Sequence, residues 1–429
     1  MKSLIKAPIA YLLGALAKAV VRKYRPKIIM VTGSVGKTST KDAIAAALST
    51  SYRVRKSDKS YNSEFGVPFT VLGVNNPWTN PFAWLGIFLK AFSLLLFPHF
   101  YPNLLVLEVG ADRPGDLAKI LRFVSPYAVV VTRLPDIPVH VEAYPSPAAV
   151  REEEFAPALA LTDGAPLILS TDDLYAGALA DRLPVTLTTF GSRPGADVLM
   201  EEPAVYEEEG VPVGMQAKLL IDRTRYPLIV RGAFGSQQLF APTAAIATAR
   251  ALSISLEDAL AALTESYEPP PGRSRLLRGI NGSTLIDDTY NSSPLAVEEA
   301  LKSLALIQAK RRIAVLGDMR ELGRYSKEEH ERIGALAFTH AEIIVAIGPR
   351  SRAITDAAAQ QSIPAERFRW FETSSEAADT LRSLVTEGDL VLIKGSQSVR
   401  TERVTEALLQ DSSDAIKLVR QEREWKGRE

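Results

Sequence analysis

Glycine, lysine and hydroxyl residues crowd into one short stretch, Thr32-Gly33-Ser34-Val35-Gly36-Lys37-Thr38-Ser39-Thr40. Glycines let backbone N–H groups approach phosphate oxygens, a helix N-terminus adds partial positive charge, a lysine reaches terminal phosphates and a hydroxyl ligates Mg²⁺. Gly33 and Gly36 are two residues apart rather than the four of the commonest phosphate loop, so the general pattern is not matched literally. The plain alternative is a Gly-Ser turn followed by a surface lysine. Two further groups bear on the same chemistry. Glu108 closes the apolar run 104–107, and ligands of open α/β sheets sit at the C-terminal ends of strands. His140 follows a proline-rich connection over 133–139. A hydroxyl, a carboxylate and an imidazole around a triphosphate suit phosphoryl transfer, which needs positioning and charge neutralisation. Taken singly, Glu108 is as readily a cap or ion-pair partner, and His140 a structural histidine.

These residues need elements to hold them. The apolar run 28–31 before the glycines and the Ala-rich 42–48 after them predict buried strand, loop and helix. Runs at 104–110, 128–132 and 167–171 predict further buried strands. From 196 to 230 the pattern shortens to alternating runs with a Glu-Glu-Glu-Gly turn at 207–210, which predicts a small antiparallel sheet. Glu268-Pro-Pro-Pro-Gly272 then punctuates the chain. Beyond it strands at 283–288, 312–317, 342–348 and 389–395 alternate with helices at 294–306, 327–340 and 403–409. The expected fold class is α/β: a central phosphate-loop ATPase domain with a mostly parallel sheet plus a small antiparallel sheet, followed by a Rossmann-like C-terminal domain. The expected boundaries are an N-terminal helix over 1–27, the central domain over 28–268 with an apolar insertion at about 78–101, and the C-terminal domain over 272–429. A charged tail from Gln421 is expected to fray.

A chain of 429 residues, 46% hydrophobic, has room for at least two cores. Lys+Arg and Asp+Glu balance at 50 each, so there is no basic excess for nucleic acid. The absence of cysteine excludes disulfides and thiolate metal sites and is compatible with a reducing cytoplasm. Two apolar segments stand out. Residues 1–25 end in Arg22, Lys23 and Arg25, and their apolar stretch is broken by Lys18. Residues 81–98 carry Trp84, four phenylalanines and Lys90. Both are short of a full membrane span. Packing against the core and lying flat on a bilayer surface are both open for them.

Taken together, the motifs resemble the Mur ligase family of ATP-dependent amide-bond ligases. The resemblance runs from about 28 to about 409. It rests on the 32–41 loop, Asn62-Ser-Glu-Phe-Gly-Val-Pro68, Leu107-Glu-Val-Gly-Ala-Asp-Arg-Pro-Gly-Asp116, His140-Val-Glu142, Gly272-Arg273, Asp287-Asp-Thr-Tyr-Asn291, the 315–323 run with His330, and the 388–396 run. It implies ATP and Mg²⁺, a muramoyl-peptide-type acyl donor activated as its acyl phosphate, and a D-alanyl-D-alanine-type amine that displaces phosphate. By resemblance Gly33, Ser34, Gly36, Lys37, Thr38 and Ser39 bind the β- and γ-phosphates. Thr38 and Glu108 take one Mg²⁺, and His140 a second metal or its water. Arg273, Asp288 and Asn291 bind the nucleotide, while 318–321 and 394–396 face the amine. Closure of the second domain on the first would exclude water from the acyl phosphate.

This chain departs from the family at three places. Fewer than thirty residues precede the phosphate loop, so the family's first, nucleotide-sugar-gripping domain is expected to be missing. The family's CO₂-modified lysine has no counterpart in Val150-Arg-Glu-Glu-Glu-Phe155, where Glu152 is expected to supply a permanent catalytic carboxylate, the plain alternative being a solvated acidic helix start. On the adenine side, Gly235-Ser-Gln-Gln238 stands where the family has asparagines, with Gln238 the expected substitute. Two rivals stay open: a folylpolyglutamate- or cyanophycin-type ligase of the same superfamily, and a non-catalytic nucleotide-binding module.

Overall fold

The computed structural model describes residues 2–57, 61–77, 80–360, 362–422 and 425. Of the charged tail, only 421, 422 and 425 fall within them. The chain forms two compact units. The first comprises 1–201, 218–226 and 240–267, and the second 202–217, 227–239 and 268–429.

In chain order the first sheet contains β1 (Lys27–Thr32), β2 (Val54–Lys56), β3 (Leu104–Glu108), β4 (Ala128–Val131), β5 (Pro166–Ser170), β6 (Thr186–Gly191), β7 (Val198–Glu208), β8 (Val211–Ile221) and β9 (Thr224–Arg231). Their spatial order is β2-β3-β1-β4-β5-β6-β7-β8-β9. Pairing is parallel from β2 to the start of β7. Strands β1, β3 and β4 are apolar runs buried along nearly their whole length, as strands covered on both faces must be. The turns leading into β8 and β9 each place two residues at positive φ, Glu209-Gly210 and Asp222-Arg223, the conformation that tight hairpins demand. The expected small antiparallel sheet is thus a run of long hairpin strands at the edge of the parallel sheet.

Helix α1 (Lys2–Tyr24) precedes β1, and α2 (Lys37–Ala47) follows it. Next come α3 (Gly66–Leu72), α4 (Pro81–Leu96), α5 (Asp116–Leu121) and α6 (Pro147–Leu159). Both α4 and α6 start on strong signals. Asn80 accepts from the Phe82 and Ala83 amides, Ser146 accepts from the Ala149 amide, and each is followed by proline. Such caps contribute about 1 kcal/mol each.

Both apolar segments use one face for the core. Leu13, Leu16, Ala17 and Val20 of α1 and Ile87, Ala91 and Leu94 of α4 are buried in the cluster that also holds Met30, Leu105 and Leu107. The C-terminal carbonyls of α4 are satisfied from α1. Lys23 Nζ donates to the oxygens of Leu94 (2.8 Å), Leu95 (3.0 Å) and Phe97 (2.7 Å), and Tyr24 Oη donates to Leu94 O (2.9 Å). Among the described residues no helix is long and apolar enough to cross a membrane.

The second sheet contains β10 (Arg275–Arg278), β11 (Thr284–Asp288), β12 (Arg311–Gly317), β13 (Ile343–Ile347), β14 (Phe368–Phe371) and β15 (Asp389–Lys394), in the order β10-β11-β15-β12-β13-β14. All neighbours are parallel except β10 with β11. Because β15 inserts between β11 and β12, the loops that leave these three strands emerge side by side.

Candidate active site

The turn between β1 and α2 is built from its glycines. Gly33 and Gly36 have φ of 115° and 87°, and a Cβ on Gly33 would collide with Thr132 Oγ1. Gly36 is the N-cap of α2 and offers no side chain, so no side chain of the cap stands between the helix N-terminus and an anion. Lys37 folds back so that its ammonium donates to Gly33 O. Two other motifs close in beside it. Gly110 N donates to Asn62 O (3.1 Å), and a Cβ on Gly110 would lie 3.1 Å from Asn62 Nδ2 and 3.4 Å from Lys37 Cε.

A carboxylate meets this turn, and it is not the expected one. Glu152 is exposed on α6. Two residues on a helix differ by about 200° in direction, and it is Glu154, 2% exposed, that turns inward. Its carboxylate accepts from Ser34 Oγ and lies 3.9 Å from Lys37 Nζ, and its backbone oxygen accepts from Thr32 Oγ1 (2.5 Å). Burial pushes the Glu154 carboxyl up, while the Lys37 charge, the Ser34 hydroxyl and His140 pull it back. The signal was in the sequence: Val150, Phe155 and Ala158 are buried on α6, and Glu154 shares their face. Its neighbour Glu153 serves another loop, accepting from the Gly115 and Leu117 amides at 3.0 Å each and so capping α5.

The other expected residues of the first unit are placed as follows. Glu108 pairs in register with Val31, one residue before the end of β1, and is 2% exposed, with Oε2 lacking a hydrogen-bond partner. A buried carboxylate oxygen without a donor is a position a cation would satisfy. Thr38 and Ser39 lie in the first turn of α2. His140 adopts φ 64° and sets its Nε2 3.5 Å from Asp112 Oδ1. Among the described residues no three His, Asp or Glu cluster tightly enough to hold a metal alone.

The second unit forms its own cluster. Asp288 pairs with Lys394 Nζ (2.8 Å), which also donates to Asn291 O (3.0 Å). Arg273 stacks on the Tyr290 ring (4.1 Å), behind a turn in which Gly272 (φ 67°) accepts from Tyr290 N. The loops expected to face an amine are knitted together. Ser396 N donates to Asp318 O (3.0 Å), and Arg320 N to Ser396 Oγ (3.0 Å). His330 is buried and structural: its Nε2 accepts from Met319 N (2.9 Å), holding the 318–321 loop, while Nδ1 donates to Ser326 O (2.6 Å). Gln238 is buried, but it is Gln237 whose side chain bonds Ser274 (3.3 Å) and Ser303 (2.8 Å).

Asp287 is a residue whose environment the sequence did not reveal. Its Oδ1 accepts from Thr289 (2.7 Å) and Thr405 (3.1 Å), Oδ2 has no hydrogen-bond partner, and burial pushes the carboxyl up to about 6. A carboxyl raised in the folded state leaves stability intact below its ordinary value of 3.8 and removes it as pH climbs through about 6. The loss is on the order of 3 kcal/mol. Asp287→Asn is therefore expected to melt higher than the unaltered chain at pH 8 and to lose most of this pH dependence, as thermal melts across pH 4–8 would record.

Residues 31–83 match the Mur ligase middle domain and residues 272–397 the Mur ligase glutamate ligase domain. The UDP-N-acetylmuramoyl-tripeptide–D-alanyl-D-alanine ligase of Mycobacterium leprae is 28% identical over 94% of this chain and 77% of its own length. The MurF crystal structure from Acinetobacter baumannii superposes with a TM-score of 0.77 at 23% identity, over 94% of this chain and 81% of that one. MurF from Thermotoga maritima in complex with ADP gives 0.73 at 24%, over 93% and 83%. These two share the fold. With the glycine turn inside the first match, the chain carries a Mur ligase middle domain and a Mur ligase glutamate ligase domain.

Proposed function

We propose that the chain joins the carboxylate of a muramoyl-tripeptide-type donor to the amine of D-alanyl-D-alanine. The donor carboxylate attacks the γ-phosphorus of ATP and ADP departs. The amine then attacks the acyl carbon and phosphate leaves, forming the amide. The observation that carries this reading is the Lys37–Glu154–Ser34 group at the glycine turn, with the Glu108 oxygen free of a donor on the neighbouring strand. In this proposal the N-terminus of α2, Gly33, Gly36, Ser39 and Lys37 hold the β- and γ-phosphates, and Glu154 fixes Lys37 and Ser34. Thr38 and Glu108 are the Mg²⁺ ligands, with His140 toward a second metal or its water. When bound, the metal neutralises charge on the phosphoryl group in transfer. Arg273, Asp288 and Asn291 are the proposed nucleotide-binding residues of the second unit. The enzyme works in the cytoplasm, with peripheral membrane contact through 1–25 and 81–98.

ADP release with a muramoyl-tripeptide donor tests the reading. It is expected with D-alanyl-D-alanine, with a product mass equal to donor plus dipeptide minus water. Release with L-glutamate instead would point to a folylpolyglutamate-type ligase. No amine-dependent release would leave a nucleotide-binding module.

A further inference from the structure

Helix α4 is apolar on both faces, and only one is covered. Ile87, Ala91 and Leu94 face the core. Phe82, Leu85, Leu89, Phe92 and Leu96 recur at steps of three and four residues on the opposite side, and are 82%, 57%, 61%, 51% and 73% exposed. Phe97 (61%) and Phe100 (85%) extend the stripe past the helix end. A contiguous apolar surface of this kind marks an interaction face.

Charge says what covers it. Residues 65–107 contain no Asp or Glu, and neither do residues 1–41, which hold nine Lys and Arg, although the whole chain has 50 acids. The cations stand beside the stripe. Lys90 is exposed on α4, Lys23 caps its C-terminus, and Arg53 stacks on the Phe100 ring at 4.3 Å. An exposed apolar stripe carried by an acid-free stretch, with Lys90, Lys23 and Arg53 beside it, is complementary to an anionic plane, since apolar rings with basic neighbours sit at a headgroup boundary. A helix of 16 residues is about 24 Å long, too short to span and suited to lie flat.

We propose that the outer face of α4 docks on a bilayer rich in anionic lipid, inserting Phe82, Leu85, Leu89, Phe92 and Leu96 while Lys90, Lys23 and Arg53 meet the headgroups. The docking rests on the peripheral-contact part of the function proposed above and is independent of the ligase chemistry. Because α1 and α4 are joined by the Lys23 and Tyr24 hydrogen bonds, the first unit is held to the surface by a fixed element rather than a tether.

Co-sedimentation of the full chain with vesicles of phosphatidylcholine alone, or with a third phosphatidylglycerol, tests this, with ADP release measured on the same samples. Binding is expected to be at least about tenfold tighter to the anionic vesicles at low salt. Leu89→Ser/Phe92→Ser is expected to lose at least about tenfold of it, and Lys90→Glu a smaller part, both with ADP release unchanged. These positions are exposed, so the fold tolerates the changes. Absence of binding to anionic vesicles, or equal binding to both kinds, overturns the proposal. So does a concentration-dependent dimer abolished by the same substitutions, which would make the face a protein interface. Vesicle binding without ADP release would sustain the docking and defeat the ligase reading.

Discussion

Lys37→Ala is expected to lower ADP release by about a thousandfold, equivalent to about 4 kcal/mol of transition-state stabilisation. In the proposed reading the lysine is the fixed cation of the glycine turn, and its loss removes one of the groups that offset developing phosphoryl charge. The same substitution has a second, separable effect. Glu154 is buried and its carboxylate leans on the Lys37 ammonium 3.9 Å away, so removing the lysine strands a charge in a dry site. The expected loss of folding stability is about 2 kcal/mol. Lys37→Ala/Glu154→Gln is expected to recover that stability without recovering turnover. If the double variant regains both, the lysine acts on the fold and not on the phosphates. Denaturant melts alongside ADP release on the four proteins of this cycle make the check.

Glu154→Gln is expected to move activity and stability in opposite directions. Gln keeps the shape but cannot hold Lys37 and Ser34 by charge, and a misplaced phosphate-binding lysine is expected to reduce turnover by about a hundredfold. Stability follows from the direction of the carboxyl shift. Burial raises Glu154 in the folded chain more than its partners lower it, so the ionised form burdens the fold. Stability is intact below the ordinary value of 4.5 and is lost as pH rises through the raised value. The variant is therefore expected to melt higher than the unaltered chain at pH 8, with a flatter dependence on pH. A lower melting point at pH 8, or full turnover, would assign Glu154 to structure alone. Glu152→Gln, on the exposed side of α6, is expected to change neither quantity.

The glycine turn was legible because its information is local. Glycines, a buried strand before and an Ala-rich helix after specify the turn within twenty residues, and β1 and α2 appear where the pattern puts them. Glu152 was expected to supply the carboxylate, whereas Glu154 is the one beside the glycine turn; three adjacent glutamates look alike in sequence, and only the phase of Val150, Phe155 and Ala158 separates them. The stretch holding the helices Arg352–Gln360 and Ser374–Leu384 and strand β14 went unread, although Thr373 and Glu376 form a capping box that announces the second helix. Segments 202–217 and 227–239 were expected within a central domain, yet they group with the second unit. Contiguity misleads here because β7 and β8 are eleven residues each, about 36 Å of extended chain. Asp287 lay beyond reach for a different reason. Burial raises its carboxyl against hydrogen bonds from Thr289 and from Thr405, the latter far along the chain, while no donor reaches Oδ2.

The adjacent carboxylates of α6 impose a length rule. Glu153 grips the start of α5 and Glu154 the glycine turn, from one rigid rod that begins at Ser146. Deleting a single residue between Pro147 and Glu152 would swing both groups by about 100° and slide them about 1.5 Å. Neither clasp would then close. This stretch can trade one side chain for another along its outer surface, but it cannot gain or drop a position, so its count of residues carries more of the enzyme's design than their identities do.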